Sequence, residues 1–310
     1  MIIKKNLITG GSGFIGTNLS KRLLSKGEKV ICIDNFSTCE KTNINAFIDH
    51  PNFELIEHDI LDPIMIEADI IWHLACPASP KDYQVDPIRT SRTCFIGTYN
   101  MLELARKIKA KLLLASSSEI YGDPKEHPQK ESYRGSVKTT GIRSCYDEGK
   151  RIAETLCKDY QRVYGIKTFI IRIFNSYGPY MRLNDGRVIS NFIVQALKDE
   201  KITIYGNGIQ TRSFCYVDDL IEGMINMINS NYNDPLNLGN PYEISIIELA
   251  KLVRDLINPN LEFEFKLLPE DDPQKRQPSI DKSKKILNWE PEVTLNQGLL
   301  STIKWFKHNL

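Results

Sequence analysis

The stretch Gly10-Gly11-Ser12-Gly13-Phe14-Ile15-Gly16 lies between a short apolar run, NLIT, and an amphipathic segment, FIGTNLSKRLLSKG, and this order constrains the fold more than any other feature. Glycine permits a tight turn with positive φ and lets a ligand approach backbone N–H groups, here at the start of a helix where such groups lack partners. This is how a dinucleotide pyrophosphate is held at the first strand-to-helix turn of a parallel sheet. The motif alone is weak. The next apolar run, KVICID, ends in Asp34, at about the 20-residue spacing where a carboxylate meets the adenosine ribose hydroxyls. A carboxylate there repels the 2′-phosphate of NADP, so the expected cofactor is NAD. Asp59 and Ile60, after the third strand, are candidates for the adenine, with a solvated strand end as the alternative.

Strand and helix signals alternate through the first half: NLIT, the glycine-loop helix, KVICID, a polar helix candidate, FELIEHD, ADIIWHLA, a long helix across 88 to 108, and KLLLAS. A helix from about Cys145 to Tyr164 then leads to another buried strand, KTFIIRIF. This rhythm predicts an α/β fold, a Rossmann-like doubly wound parallel sheet. After Asn175 the texture changes to loops rich in Gly, Asn and Pro (NSYGPYMRLNDGR, YGNGIQ, NLGNPYE) between shorter helices at 189 to 199, 217 to 229 and 245 to 257. The expected organisation is a dinucleotide-binding domain over 1–175 and a smaller, mainly substrate-binding C-terminal region over 176–310. No linker separates them, so the two should interleave.

Composition excludes several classes. With 310 residues, 41% of them hydrophobic, the chain can bury a large core. Forty basic residues against 39 acidic ones favour no nucleic-acid partner. Seven cysteines (32, 39, 76, 94, 145, 157, 215) form no C-x-x-C pair, which fits neither a disulfide framework nor a zinc site, and the five histidines lack ligand spacing. No metal is expected, and His73 reads as a hydrogen-bonded strand-end residue. The chain enters a strand at once and has no apolar stretch of the ~18 residues a membrane helix needs, so a soluble, cytoplasmic protein is expected.

Two clusters carry chemistry. Tyr146 and Lys150, four residues apart, share one helix face. Oxidising an alcohol needs a base for the hydroxyl proton, and a free tyrosine, with a pKa near ~10, is mostly neutral at pH 7. Lysine and a nicotinamide cation could bring it to about 7, at a cost of ~4 kcal/mol of differential stabilisation. Such pairs also occur by chance on amphipathic helices. The second cluster, Ser116-Ser117-Ser118-Glu119, ends the apolar run LLLAS. Together with the glycine loop, the set Ser117, Tyr146 and Lys150 resembles the catalytic set of the short-chain dehydrogenase/reductase superfamily, in its extended branch acting mostly on nucleotide sugars.

Within that branch the chain resembles the UDP-glucuronate decarboxylase (UDP-xylose synthase) family. The matching stretches are HLACPASPKDYQVDPIRT (73 to 90), SSSEIYGDPKEHPQKESY (116 to 133), GIRSCYDEGKRIAE (141 to 154), RIFNSYGPYMRLNDGRVISNFI (172 to 193) and DDPQKRQPSIDKSKKILNWEP (271 to 291). The resemblance implies oxidation of the sugar at C4′ with Tyr146 as base, loss of CO2 from the resulting β-keto acid, protonation at C5′ and regeneration of NAD. It implies catalytic roles for Ser117, Glu119, Tyr146, Lys150 and Arg276. NAD contacts are implied for Gly10, Gly13, Phe14, Ile15, Gly16, Asp34, Asn35, Thr38, Asp59, Ile60, Leu74 and Thr93 beside Tyr146 and Lys150. UDP-glucuronate contacts are implied for Ser118, Glu119, Asn175, Arg182, Tyr205, Gln210, Arg212 and Arg276. A homodimer is likewise implied.

The chain departs from the family's usual pattern at Ser117 (threonine), Arg134 (tryptophan), Cys76 (serine) and Cys39 (glycine). Serine keeps the hydroxyl, and Arg134 bears on the loop ahead of the catalytic helix. A 4,6-dehydratase, a 4-epimerase, or a decarboxylase releasing UDP-4-ketopentose and NADH are the alternatives. Ser118 stands where a dehydratase carries an acid, and a non-catalytic NAD-binding protein would not need Tyr146 and Lys150.

Overall fold

The computed structural model describes residues 3–267 and 275–310, so the first four residues of the 271 to 291 stretch lie outside the described residues. Six parallel strands form where apolar runs meet turn signals: β1 (Lys5–Thr9), β2 (Lys29–Asp34), β3 (Phe53–Glu57), β4 (Ile70–His73), β5 (Lys111–Ser117) and β6 (Thr168–Ile173). A seventh, Leu236–Leu238, joins them. Their order in the sheet is seventh, β6, β5, β4, β1, β2, β3, every neighbouring pair parallel. Helices cover both faces, which is why the inner strands are mostly apolar, whereas β3 at the edge keeps Glu54 and Glu57 exposed. Along β5 the side chains alternate: Leu112 and Leu114 pack with helices Thr98–Ile108 and Ser144–Tyr164, whereas Leu113 packs into the core on the opposite face.

β1 lies between β2 and β4, so the chain winds away from it in opposite directions. The crevice this opens at the carboxyl ends of β1 and β4 is where ligands bind in such sheets. Gly10, with φ +69°, stands there, and a Cβ on it would approach Ala75 Cα to 2.9 Å. Helix Ser144–Tyr164 buries Tyr146, Gly149, Lys150, Ala153, Cys157 and Tyr160, a stripe spaced three to four residues apart. At Gly149 a Cβ would lie 2.8 Å from Cys94 Sγ. Glycine there lets the turn Thr93–Gly97 press against the catalytic helix.

The structure redraws three elements. The helix expected across 88 to 108 starts at Pro87, capped by the Asp86 side chain on Arg89 N, and passes through a π-helical turn, Thr93–Gly97, before Thr98–Ile108. The polar helix candidate after β2 is only a 3-10 turn, Lys41–Ile44, because Ile44 is its one buried residue. The NLGNPYE stretch, read as loop, begins with the seventh strand, too short for its alternation to register. Tyr121 O–H donates to the buried Asn237 Oδ1 at 2.8 Å and ties that strand to the end of β5.

The remaining chain forms helices Val188–Leu197, Val217–Asn229, Ile246–Ile257 and Leu295–Asn309, the last not anticipated. A small sheet of Glu243–Ser245, Thr211–Ser213 and Lys275–Arg276 carries Arg276 against the end of β5.

Candidate active site

A cleft of about 700 Å³ runs across the carboxyl ends of the parallel strands. Its wall includes every residue expected to bind cofactor or substrate or to act in catalysis, from Gly10 and Asp34 at one end, through Ser117, Glu119, Tyr146 and Lys150, to Asn175, Arg182, Tyr205, Gln210, Arg212 and Arg276 at the other.

At the first end the backbone does most of the work. Gly13 is the N-cap of helix Phe14–Ser25 and no side chain caps it, leaving the helix N-terminus to face the cleft. A Cβ on Gly16 would collide with Gly10 O, so the turn is as tight as a pyrophosphate cradle requires. The Asp34 carboxylate accepts from Ser12 N and Phe36 N, each at 3.0 Å, which fixes it at the end of β2. These features fit a dinucleotide. Asn35 Nδ2 donates to Asp59 Oδ2 at 3.2 Å, and Arg89 pairs with the same carboxylate, so Asp59 is tied up by its neighbours on one side. Ile60 is buried against Gly97, and Thr93 Oγ1 donates to Arg89 O at 2.8 Å. Thr38 and Leu74 also line this end.

Tyr146 is buried at the centre. Lys150 Nζ donates to Ala115 O at 2.9 Å and lies 5.6 Å from the Tyr146 ring centroid. Burial pushes the phenol up to about 12, against the pull of Lys150 and a hydrogen bond with Ser117. Lys150 therefore does not by itself bring the tyrosine near 7. Burial works against the Lys150 charge, yet Cys76, Tyr146 and Cys94 hold its pKa above the ordinary value, so it stays an ammonium. Ser116 serves another purpose: its hydroxyl donates to Glu154 Oε1 at 2.5 Å, within a buried pair with Arg172. His73 sits between Thr9 Oγ1 (2.9 Å) and Thr98 Oγ1 (3.1 Å), and burial lowers it to about 3, so it is a neutral structural residue.

Just beyond the end of β5 the charges gather. Arg276, only 2% exposed, donates to Ser118 O and, at 3.0 Å, to Gly122 O. Its Nη2 reaches Glu119 Oε2 at 3.3 Å, Arg143 pairs with the same carboxylate, and Arg276 Nε has no hydrogen-bond partner among the described residues. Burial alone would raise the Glu119 carboxyl. Arg276, Arg143 and Arg212 overcome that and hold it below the usual range, so it is ionised. Further out, Gln210 Nε2 donates to Tyr205 O at 2.9 Å, Asn175 O accepts from Cys215 N at 2.9 Å, and Arg182 pairs with Asp82. Arg212 is the cross-strand neighbour of Arg276.

The family model described as GDP-mannose 4,6 dehydratase matches residues 7–302. UDP-glucuronic acid decarboxylase 1 of Xenopus tropicalis is 52% identical over 307 residues, covering 99% of this chain and 73% of that protein. The chain belongs to the UDP-glucuronic acid decarboxylase family. UDP-glucuronic acid decarboxylase 4 of Arabidopsis thaliana is 51% identical over 98% of this chain and 69% of its own length. Among solved structures, UDP-glucuronic acid 4-epimerase of Bacillus cereus, in complex with UDP-glucuronic acid and NAD, superposes with a TM-score of 0.89 at 27% identity, covering 99% of this chain and 100% of its own. UDP-glucose 4-epimerase of Thermotoga maritima superposes at 0.91 with 28% identity, covering 98% and 99%. The cofactor of this decarboxylase family member is NAD.

Two cleft residues of this decarboxylase went unremarked in the sequence. Arg143, three before Tyr146, was signalled only by sharing its helix face. Tyr83 stacks on Tyr146 at 5.0 Å between ring centroids and 10° between planes, and its buried hydroxyl lacks a partner among the described residues. Nothing in ASPKDY marked it, since the two rings come from segments 63 residues apart. Among the described residues, no group of three His, Cys, Asp or Glu could hold a metal ion, and no helix is long and apolar enough to cross a membrane.

Proposed function

We propose that the chain converts UDP-glucuronate to UDP-xylose and CO2 through a 4-keto sugar, with NAD regenerated in each cycle. The observation that carries this reading is the buried Arg276 against Glu119 at the end of β5, a cation in the same cleft wall as Tyr146 and suited to a substrate carboxylate. The bound cofactor supplies reversible oxidation at C4′ and a positive charge that draws the phenol of Tyr146 down.

Tyr146 takes the C4′ hydroxyl proton, with Lys150 stabilising the phenolate. Oxidation leaves a ketone β to the carboxylate, and departing CO2 transfers its electron pair to the C4′ oxygen. Tyr146, again a phenol, and Ser117 donate to that oxyanion. Glu119, ionised between its arginines, holds the ring and a water and does not act as an acid. Ser118, Asn175, Arg182, Tyr205, Gln210 and Arg212 line the diphosphate and uridine path, with Arg212 suited to pyrophosphate. Asp34 receives the adenosine ribose, with Asn35, Thr38, Asp59 and Ile60 around the adenine. The reading extends to a cytoplasmic homodimer. Exposed Phe95 and Tyr99, near one helix, and Ile152, on its neighbour, support a helix-to-helix contact between two copies.

The test is incubation of the purified protein with UDP-glucuronate and NAD, with identification of the nucleotide sugar. UDP-xylose and one CO2 per turnover, without accumulating NADH, are expected. UDP-galacturonate without CO2 would make the protein an epimerase, and ketopentose with NADH would remove the redox-neutral cycle.

A further inference from the structure

Two cysteines pack beside the catalytic helix and touch each other, and a third, Cys145, lies on it. Cys76 follows β4 on the cleft wall, and Cys94, on the π-helical turn, is buried against Gly149. Their sulfurs are 3.4 Å apart, and Cys76 Sγ also reaches Pro77 O at 3.4 Å. A disulfide needs about 2.05 Å, so the sulfurs must close by roughly 1.4 Å. Cys145 Sγ instead donates to Tyr83 O at 3.5 Å.

We propose that Cys76, in the wall of the cleft, and Cys94, buried behind it, are a peroxide-oxidisable thiol pair, and that their disulfide switches the enzyme off. Cys76 is the attacking sulfur. A hydrogen bond from Cys94 lowers its thiol to about 7, burial opposes this, and the Lys150 ammonium adds to the lowering. Burial or its partners push the other six thiols up, so a thiolate near neutral pH is favoured at Cys76 alone. Cys76 also faces the cleft, where a peroxide can enter.

The Cys76 thiolate attacks one oxygen of hydrogen peroxide, the O–O bond breaks, and a sulfenic acid forms with release of hydroxide, which takes up the displaced proton as water. Cys94 sulfur then attacks Cys76 sulfur. The sulfenic hydroxyl leaves with the Cys94 proton as a second water. Two thiols lose two protons and two electrons, and one peroxide takes them up to become two waters. Closing the bond draws Cys76 or Cys94 away from the contacts that seat them beside Lys150 and Gly149. A displacement near 1 Å at such a site costs on the order of 100-fold in rate.

The test treats the full-length enzyme with NAD present with a small excess of hydrogen peroxide, then quenches free thiols with iodoacetamide and maps peptides by mass. A cross-link between the Cys76 and Cys94 peptides, 2 Da below the sum of the thiols, is expected to form before any other cysteine oxidises. Turnover should fall at least tenfold and return with dithiothreitol. Cys76→Ser and Cys94→Ser should each lose the cross-link and the reversible loss, every rate being compared with the same variant untreated. Oxidation of other cysteines first, a Cys76 that stops at sulfenic acid, or a cross-link that leaves turnover unchanged would overturn the proposal. The mass readout needs no substrate, so its result stands apart from the assignment of the reaction.

Discussion

The two ends of the cleft are built on different principles. The dinucleotide end uses backbone: a glycine turn, an open helix N-terminus and one carboxylate, drawn from residues 10 to 34 of the chain. The sugar end uses charge brought from far apart, with Glu119 and Arg276 157 residues distant in sequence and Arg143 on a third segment. The first takes its main features from one strand-turn-helix-strand unit. The second exists only once the small sheet has carried Arg276 onto the end of β5.

Tyr146→Phe, at the junction, gives the largest expected effect. Loss of the base should lower CO2 release by about 10³-fold or more, while calorimetry finds NAD binding within a few-fold of the parent. A variant that retains turnover would take the proton-transfer role from Tyr146. Arg276→Leu attacks the sugar end alone. It should lower turnover about 100-fold, and, because Glu119 loses one of its two closest cations, cost about 3 kcal/mol in a denaturant titration. Unchanged NAD affinity in that variant would confirm that the ends are separable, and a parallel loss of NAD would refute it.

Asp34→Ala attacks the other end. NAD affinity should fall about 10- to 30-fold with relative gain for NADP, while Tyr146 and Arg276 keep their surroundings. The smallest effect concerns Asp147, buried behind the charge cluster, whose Oδ1 has no partner among the described residues. Burial and the nearby Glu119 raise its carboxyl to about 7 from an ordinary 3.8. A group with a raised folded pKa binds its proton more tightly in the folded protein, so its ionisation makes stability fall as pH rises from about 4 to 7. Asp147→Asn should flatten that part of the profile, gaining about 1–2 kcal/mol at pH 8 relative to pH 4, read as the difference from the parent in thermal melts.

What the sequence disclosed follows the same division. Gly10 to Gly16 and Asp34 are legible because their chemistry and spacing belong to one strand-turn-helix-strand unit. Tyr146 and Lys150 are legible as a helix pair, but the company they keep is not. Tyr83, stacked on Tyr146, is placed by tertiary packing that leaves no local period, and the spacing of Arg143 from Tyr146 does not disclose its pairing with Glu119. Ser116, Ser117 and Ser118 look alike in the sequence, yet pleating sends the Ser116 hydroxyl to Glu154 and the Ser117 hydroxyl to Tyr146.

The strand Leu236–Leu238 closes the edge of the main sheet, pairing with β6 after an excursion of more than sixty residues. A chain cut at residue 175 would leave β6 with a row of open N–H and C=O groups along an apolar edge, a template for sticking to other chains. The cofactor-binding half is therefore not a portable module: it cannot be excised or transplanted without the segment that returns to seal it.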